Sequence, residues 1–390
     1  MHTTKHHTKN GFQLSNVITI SLAHFIHDVY SSFLAPILPL LIEKLKLNYT
    51  LAGLLPVIQR LPYLFNPLIG LLANHIKIRY LVIIAPAITT ICMSLLGSTS
   101  HFAVLAILLF IMGISGAMFH VPTPVLIKKV SGNRVGKGMS FYMFGGEAAR
   151  TIGPLVILGA VSVWGLEGTY KLIPFGLIAS LVLYFKFRNI PISENFEKHK
   201  KIDTKKTLQQ NLEFFILITG IVFFTGFIKS AIVNFLPTYL KVKGESLWFG
   251  GISLSAFEIA GAIGVFLAGT YSDKIGRIKL LSIISTISPI IAILFVFANG
   301  YFVFPLLILL GFLMLSYTPI ILAMLMDIKT DQHTFLNGIY MTISFISGSI
   351  TSLIIGILSD WIGIIDTFKI SAIVSILSIP FVLLIAKKKY

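Results

Sequence analysis

The chain has 390 residues, of which 55% are hydrophobic and only 12% are charged, whereas about 25% of the residues are charged in ordinary soluble domains. This composition excludes a soluble globular protein. The net charge of +16 does not indicate a nucleic-acid partner, because the basic residues lie in short loops between apolar runs, as they do in proteins of the lipid bilayer.

The first half of the chain alternates long apolar runs with short polar loops. After a polar N-terminal tail at residues 1–14, apolar runs lie at residues 15–42, 50–74, 79–97, 102–127, 137–163 and 169–187. An α-helix needs about 20 residues to cross a bilayer, so each run is a candidate span. The first run is too long for the apolar part of a signal peptide. Residues 15–187 are therefore predicted to form a bundle of six helices.

The second half repeats this pattern behind a lysine-rich central loop at residues 188–212. Six further runs lie at residues 213–240, 247–272, 280–298, 301–326, 334–359 and 367–386, before a tail at residues 387–390. We predict an all-α membrane protein with twelve transmembrane helices in two six-helix bundles, the second at residues 213–386. In transporters built from two such repeats, the substrate site lies between them.

The positions of the basic residues predict the orientation. Lysine and arginine are concentrated in the tails, the central loop and the other even-numbered loops, and they are sparse in the odd-numbered loops. Cytoplasmic segments of membrane proteins carry this excess. We therefore expect a multi-pass protein of the cytoplasmic (inner) membrane, with both termini in the cytoplasm, and we expect it to be a monomer.

A charged motif lies between the eighth and ninth predicted helices and reads Gly269-Thr-Tyr-Ser-Asp273-Lys274-Ile-Gly276-Arg277. It resembles the signature of the major facilitator superfamily, in which glycine permits close helix contact and charged residues hold helix ends together. In the equivalent loop of the first half, Asn74 replaces the aspartate, and a partial third copy at the end of the eleventh helix contains Asp360. We expect these residues to be conformational latches and not substrate contacts.

The first half carries a narrower resemblance in the segments Ser21–Tyr30, Gly113–His120, Phe144–Glu147 and Gly153–Pro154. They are similar to the fosmidomycin-resistance branch of the same superfamily. The resemblance implies export of a drug or another small molecule, often in exchange for protons. The chain has Val121 and Pro122 after His120, where the branch commonly has Pro and Glu, so we do not transfer the substrate of the branch to this chain.

Six charged residues lie inside the predicted spans, where charges are costly and usually face a cavity. They are Asp28, Glu147, Glu258, Arg60, Arg150 and Lys229. At a rise of 1.5 Å per residue, five of them lie on the order of 20 Å from the inner helix ends, near the midplane. Glu147 and His120 are expected nearer to the inner face.

Spacing along the helices predicts which of these residues meet. His24 and Asp28 are four residues apart and share a helix face, with His27 beside them. Glu147 and Arg150 are three residues apart and are expected to pair, either within the site or as a purely structural pair. Arg60 and Glu258 occupy matching positions in the second and eighth helices, so we expect them to face one cavity from opposite halves.

Histidine titrates near neutral pH and a carboxylate can hold a proton, so part of this set suits proton coupling. The predicted proton-coupling residues are Asp28, His24, His27 and Glu147. The cations suit an anionic or polar solute, and the glutamates balance them or bind a cationic solute. The predicted substrate-binding residues are Arg60, Gln59, His120, Arg150, Lys229, Glu258 and Tyr30.

Several alternatives stay open. His24, His27 and Asp28 could instead ligate a metal, although we expect no metal and no cofactor. Within transport, the rival to proton-coupled efflux is a proton-coupled importer or facilitator of a small organic anion or metal-related solute. A non-transporting membrane sensor is the rival from another class. The sequence has no zinc-ligand spacing, phosphate loop or hydrolase elbow, so we predict that the protein is not an enzyme.

Overall fold

The computed structural model describes residues 11–66, 78–188, 204–328 and 333–388, and all its regular elements are helices. The α-helices of the first half are α1 (Leu14–Ser31), α2 (Leu34–Leu45), α3 (Tyr49–Arg60), α4 (Ile78–Ser94), α5 (Phe102–His120), α6 (Thr123–Val130), α7 (Val135–Trp164) and α8 (Ile173–Phe187). Short 3₁₀ turns lie at Leu61–Phe65, Leu96–Ser98 and Glu167–Leu172.

The α-helices of the second half are α9 (Thr204–Gln210), α10 (Leu212–Val242), α11 (Leu247–Ile275), α12 (Arg277–Phe297), α13 (Val303–Leu315), α14 (Tyr317–Asp327), α15 (His333–Ile362), α16 (Ile364–Val374) and α17 (Ser378–Lys388). Two more 3₁₀ turns lie at Gly300–Phe302 and Ser375–Leu377. The helix α9 lies within the stretch that the sequence assigned to the central loop.

Eleven segments of the described residues are long and apolar enough to cross a membrane. The remaining predicted span is the second, at residues 50–74, of which residues 67–74 lie outside the described residues. The predicted fold of twelve helices in two bundles is confirmed. The first-half copy of the charged motif, with Asn74, also falls outside the described residues.

Several predicted runs are interrupted where the sequence suggested continuous helices; the tenth, for example, is divided between α13 and α14 at Ser316. The first is divided between α1 and α2 at Ser32 and Phe33, and the fourth ends at His120 before the short helix α6. Pro122 lies at the break in the fourth run, and a proline removes a backbone hydrogen bond and clashes with the preceding helical turn. The last run contains a 3₁₀ turn between α16 and α17.

The ends of the helices form two faces, which we call the terminal end and the far end. The terminal end holds the start of α1 and the end of α8, where Lys186 Nζ lies 2.6 Å from Ser15 Oγ. The far end holds the turns that follow α2, α7, α10 and α15. There, Lys44 Nζ donates to the carbonyl oxygen of Gly97 over 2.8 Å.

The two bundles share one apolar core only towards the far end. The largest cluster of buried apolar side chains contains Phe33 and Leu38 from the first half and Phe235 and Leu254 from the second. Two other clusters lie towards the terminal end, and each draws its buried residues from a single half. The halves are therefore packed together at the far end, with a hollow between them.

Small residues bring α3 and α15 close together at this interface. A Cβ atom added to Gly53 would lie 2.7 Å from the carbonyl oxygen of Ser352, and one added to Gly356 would meet the carbonyl oxygen of Tyr49. Glycine allows backbones to approach in this way. Polar contacts complete the junction: Glu43 and Lys241 pair over 2.5 Å.

Candidate functional site

The hollow between the bundles consists of two adjoining lobes. The first, of about 240 Å³, is lined by Asp28, Gln59 and His120 and is called the Asp28 lobe here. The second, of about 310 Å³, is lined by Lys229 together with hydroxyl groups of the second half and is called the Lys229 lobe. The residues that line both lobes are Arg60, Arg150, Val233, Asn234 and Glu258. A solute and a proton bound in different lobes would thus share the same charged wall.

Asp28 is surrounded by three imidazole rings. Its Oδ1 lies 2.9 Å from Nδ1 of His27 and 3.2 Å from Nε2 of His120, and its Oδ2 lies 3.2 Å from Nε2 of His24. The helical spacing predicted the two neighbours on α1. His120 joins them from α5, which ends at this residue, so the cluster draws its rings from two helices.

Two of these rings are held from behind by hydrogen bonds. His24 Nδ1 lies 2.7 Å from the carbonyl oxygen of Tyr142, and its ring stacks on that of Tyr142 with centroids 4.0 Å apart. His27 Nε2 lies 3.0 Å from Thr89 Oγ1, which in turn lies 2.8 Å from Ser115 Oγ. His24 and His27 are buried, so each ring is fixed in position and faces Asp28 with its other nitrogen.

A glycine on α7 provides the space for the His24 ring. A Cβ atom added to Gly146 would lie 2.6 Å from Cε1 and 2.9 Å from Nε2 of His24. A side chain at this position would push the imidazole out of place. Gly146 therefore has a specific reason to be glycine, beyond ordinary packing of α1 against α7.

Glu147 and Arg150 form the ion pair that their spacing predicted. Arg150 lines both lobes, whereas Glu147 lines neither of them. The glutamate therefore contacts the site through its arginine. This geometry fits a charge-balancing role for Glu147 better than direct exchange of protons with Asp28.

Three charged residues line the cavity without a close counter-ion. Among the described residues, the ion pairs within 4.0 Å do not include Arg60, Lys229 or Glu258. Arg60 and Glu258 line the same wall from opposite halves, as their matching positions predicted. Because charges at membrane depth are costly without a partner, these groups are available to a polar or charged ligand.

Of the two uncharged residues predicted to bind the substrate, Gln59 lines the cavity and Tyr30 does not. Gln59 lines the Asp28 lobe, where its amide donates to the carbonyl oxygen of Ser31 over 3.2 Å. Tyr30 is 4% exposed, and its hydroxyl donates to the carbonyl oxygen of Leu172 over 2.6 Å. Two residues advance a helix by about 200°, so Tyr30 faces away from the side that Asp28 faces. The structure does not support Tyr30 as a substrate contact.

Comparison with known proteins settles the family. The family model of the Major Facilitator Superfamily matches residues 20–350 and 251–390. The chain belongs to the major facilitator superfamily. Members are transporters, so the protein is a transporter of small solutes.

Relatives of this superfamily member are named for different compounds. Over 382 residues, which cover 96% of this chain and 93% of the relative, it is 25% identical to the fosmidomycin resistance protein of Escherichia coli (strain K12). Over 71% of this chain and 70% of the relative, it is 25% identical to a probable nitrate transporter, NarT, of Staphylococcus haemolyticus. It is 23% identical to the multi-drug resistance efflux pump PmrA of Streptococcus pneumoniae over 70% of each chain.

Solved structures confirm the fold. A bacterial homologue of the human lysosomal transporter Spinster, inward-facing and unoccupied, superposes with a TM-score of 0.81 at 14% identity and covers 96% of this chain and 97% of that one. The nucleoside transporter NupG superposes with a TM-score of 0.76 at 14% identity, covering 96% and 99%.

The superfamily motif at the terminal end is built around Arg277. Its guanidinium lies 2.5 Å from Asp327, at the end of α14, and 3.4 Å from Asp273, and it also contacts the carbonyl oxygen of Ala323. Gly276, with φ of +93°, makes the turn between α11 and α12. Gly269 lies within α11, and Lys274 is exposed. The motif joins three helices of one bundle, which fits a latch.

The cluster around Asp28 also has the ligand types and spacing of a metal site. Ligand atoms of His24, Asp28 and His120 lie within 4.8 Å of one another, and imidazole and carboxylate groups suit transition metals. The sequence had suggested a trio from α1 alone. The second helix makes the cluster a better cation site than the sequence indicated, for a proton as well as for a metal.

Sequence reasoning missed the uncharged partners. Thr89 and Ser115 support His27, and Tyr142 supports His24, but none of the three is charged. Hydroxyl groups that can bond across membrane helices were the available signal for Thr89 and Ser115, and Ser115 also lies inside the Gly113–His120 segment.

Proposed function

We propose that this superfamily member is a secondary active transporter that exports a small polar or anionic solute, a drug or a metabolite, in exchange for protons. One observation carries the proposal: a carboxylate enclosed by three histidines borders the same cavity as Arg60, Glu258 and Lys229. Coupled transport requires a titratable group and charged groups that can bind the solute in one cavity.

The mode of movement is alternating access by rocking of the two bundles. The cytoplasmic membrane and cytoplasmic termini predicted from the loops make the terminal end the inner one. The halves share their core at the far end, so this conformation corresponds to one open inwards. Its similarity to an inward-facing homologue of Spinster supports this assignment. Outward opening would then require the contacts at the far end to break.

Asp28 and its histidines are the proton-coupling site in this proposal, with Glu147 holding Arg150 in place. A proton enters the site when the cavity faces outwards and leaves it when the cavity faces inwards. Binding of a proton occupies an acceptor oxygen of Asp28, so a polar solute that donates hydrogen bonds to this carboxylate competes with the proton for the Asp28 lobe. The solute is thereby favoured in one state of the site and released in the other.

The solute is held at the shared wall and in the Lys229 lobe. Arg60 and Lys229 attract an anionic group, and Glu258 accepts hydrogen bonds or balances their charge. Gln59 and His120 contribute polar contacts from the first half. No metal or cofactor and no second copy of the chain enters this mechanism.

The test is proton-driven transport by the purified protein in liposomes. Fosmidomycin and nitrate, the compounds in the names of relatives, are the first probes, and internal pH is followed with a trapped dye. Inward acidification on solute exit is expected for the wild type and is lost in Asp28→Asn. Asp366→Asn, a matched change at an exposed residue paired with Lys369, should transport normally. Full coupled transport by Asp28→Asn would exclude Asp28 from the proton site.

Uptake is the second candidate function. The unpaired cations of the cavity outnumber its unpaired carboxylate, which favours a small organic anion, and the relative named as a probable nitrate transporter supports an anionic solute. In the same liposomes, an importer would move the solute together with protons and not against them. Binding of a probe without any flux would instead support a sensor.

A further inference from the structure

Hydrogen bonds behind His27 fix the positions of its protons. Ser115 Oγ lies 2.7 Å from the carbonyl oxygen of Ala85, which can only accept, so the Ser115 hydroxyl donates there. Thr89 Oγ1, 2.8 Å from Ser115 Oγ, must then donate to Ser115. His27 Nε2, 3.0 Å from Thr89 Oγ1, finds that hydroxyl proton already used. Nε2 must therefore carry a hydrogen and donate it to Thr89.

His24 is fixed in the same way by a single bond. Its Nδ1 lies 2.7 Å from the carbonyl oxygen of Tyr142, which accepts and cannot donate. The hydrogen of a neutral His24 ring is therefore on Nδ1. Its Nε2, which faces Asp28, then carries only a lone pair.

Both rings consequently present lone pairs to an acceptor. His27 Nδ1 lies 2.9 Å from Oδ1 of Asp28, and His24 Nε2 lies 3.2 Å from Oδ2. An ionised carboxylate has no hydrogen to donate, so each contact needs an added proton. His120 differs, because its Nδ1 lies 3.4 Å from the Tyr142 hydroxyl, which can donate to it. His120 can thus donate from Nε2 to Asp28 while neutral.

We propose that Thr89 and Ser115 are positioning residues of the proton site, and that by fixing His27 they make the loaded site hold two protons, one at each carboxylate oxygen of Asp28. The proposal rests on the proposed function, since it concerns how many protons that site exchanges. The other groups that act electrostatically on Asp28 are Tyr63, Tyr142 and Arg150. None of them supplies a proton to either contact.

The number of protons follows from the charge of the cluster. With neutral histidines and ionised Asp28 the cluster has one net negative charge, and with two added protons it has one net positive charge. Each proton lies between one imidazole nitrogen and one carboxylate oxygen, and both leave when the site empties. Both carboxylate oxygens of Asp28 are therefore occupied in the loaded state, and the site exchanges two protons per cycle.

The decisive variants alter the hydrogen-bonded hydroxyl groups of Thr89 and Ser115 and leave the histidines intact. In Thr89→Val, His27 loses its acceptor and can place its hydrogen on Nδ1, where it donates to Asp28 without an added proton. Ser115→Ala frees the Thr89 hydroxyl to donate to Nε2 and has the same result. Thr89→Ser keeps a hydroxyl group at this position and therefore keeps the hydrogen bonds to His27 and Ser115. Thr90→Val removes a neighbouring buried hydroxyl that has no hydrogen-bond partner and is the matched control.

The first measurement counts protons taken up by the purified protein when an alkaline sample is acidified, with a pH-indicator dye. Thr89→Val and Ser115→Ala should take up one proton fewer per molecule than the wild type, Thr89→Ser and Thr90→Val. The second measurement is ¹⁵N NMR of labelled histidine, with the His27 signal assigned from His27→Gln. In alkaline buffer, His27 should be protonated at Nε2 in the wild type and Thr89→Ser, and at Nδ1 in Thr89→Val.

Equal proton uptake in all variants, or one His27 tautomer throughout, would overturn the inference. A stoichiometric transition metal in the purified protein would also overturn it, because the metal would occupy the lone pairs. Failure of the proposed function has a different signature. Proton counts and tautomers as expected, without proton flux on addition of any solute, would sustain the inference and reject coupled transport.

Discussion

The carboxylate of Asp360 in α15 accepts hydrogen bonds from the amide and the hydroxyl of Thr50 at the start of α3, over 2.9 and 2.5 Å. The amide of Tyr49 donates to the same carboxylate over 2.7 Å. A negative charge at a helix N-terminus is stabilised by the free amides and by the helix dipole. Because Asp360 and Thr50 belong to different halves, this contact stabilises only conformations in which the far end is closed.

Removal of this contact should increase opening at the far end. A capping side chain contributes about 1 kcal/mol, so Asp360→Ala should raise the population open at that end about fivefold. The measurement is the rate at which a membrane-impermeant maleimide, added outside cells, labels a cysteine introduced by Ala35→Cys in the Asp28 lobe, in a Cys92→Ala background. Asp366→Ala is the control at the same end and should leave the rate unchanged. An unchanged rate in Asp360→Ala would exclude it as a latch.

A substitution at Gly146 tests the position of His24 without removing any polar group. In Gly146→Ala the new methyl group would overlap the His24 ring, so the ring must move away from Asp28. We expect proton-driven transport to fall by about tenfold, since about 1.4 kcal/mol of lost positioning corresponds to this factor. Gly159→Ala, the same change on the same helix with nothing within 4 Å of the new atom, should be neutral. Equal activity of the two variants would mean that the His24 position is unimportant.

Much of the site was predictable because it depends on spacing within single helices. The i, i+4 contact between His24 and Asp28 and the i, i+3 pair of Glu147 with Arg150 are local. The composition and run lengths were likewise sufficient for the twelve-helix fold, because spanning a bilayer dictates helix length. The orientation and the domain boundaries stay predictions.

The remainder depends on which helices meet and where they bend, and a single sequence does not specify this. His120 contacts Asp28 because its helix, α5, lies beside α1. Tyr30 does not line the cavity, because it lies on the other side of α1. Thr89 and Ser115 are uncharged, so the pattern of buried charges does not indicate them. Their importance arises only from the contacts that they make with a histidine of another helix.

The unpaired cations should control the affinity for an anionic solute. Hydrogen bonds to charged groups contribute about 1.5–3 kcal/mol, so Arg60→Gln and Lys229→Gln should each raise KM by about 10- to 100-fold with little effect on expression. Lys171→Gln, at an exposed position, should not change KM. Glu258→Gln should weaken the binding of solutes that carry hydrogen-bond donors more than the binding of solutes that carry none. The KM values of all four variants are measured from initial rates of transport of a panel of solutes in liposomes. An unchanged KM in both Arg60→Gln and Lys229→Gln would exclude these two cations from the solute site.

The latch at the terminal end should depend on Arg277 more than on Asp273. Arg277 contacts Asp327, Asp273 and a backbone carbonyl together, whereas Asp273 is 68% exposed and lies 3.4 Å from its partner. Exposed ion pairs contribute at most about 1 kcal/mol. Asp273→Asn should therefore slow solute counterflow by about fivefold at most, and Arg277→Gln should slow it by more than this, because every contact of the guanidinium is lost. Neither change should alter the order of preference among solutes, since both residues lie outside the cavity. A changed order would place the motif in substrate selection, and a larger effect of Asp273→Asn would mean that the aspartate has a partner in another conformation.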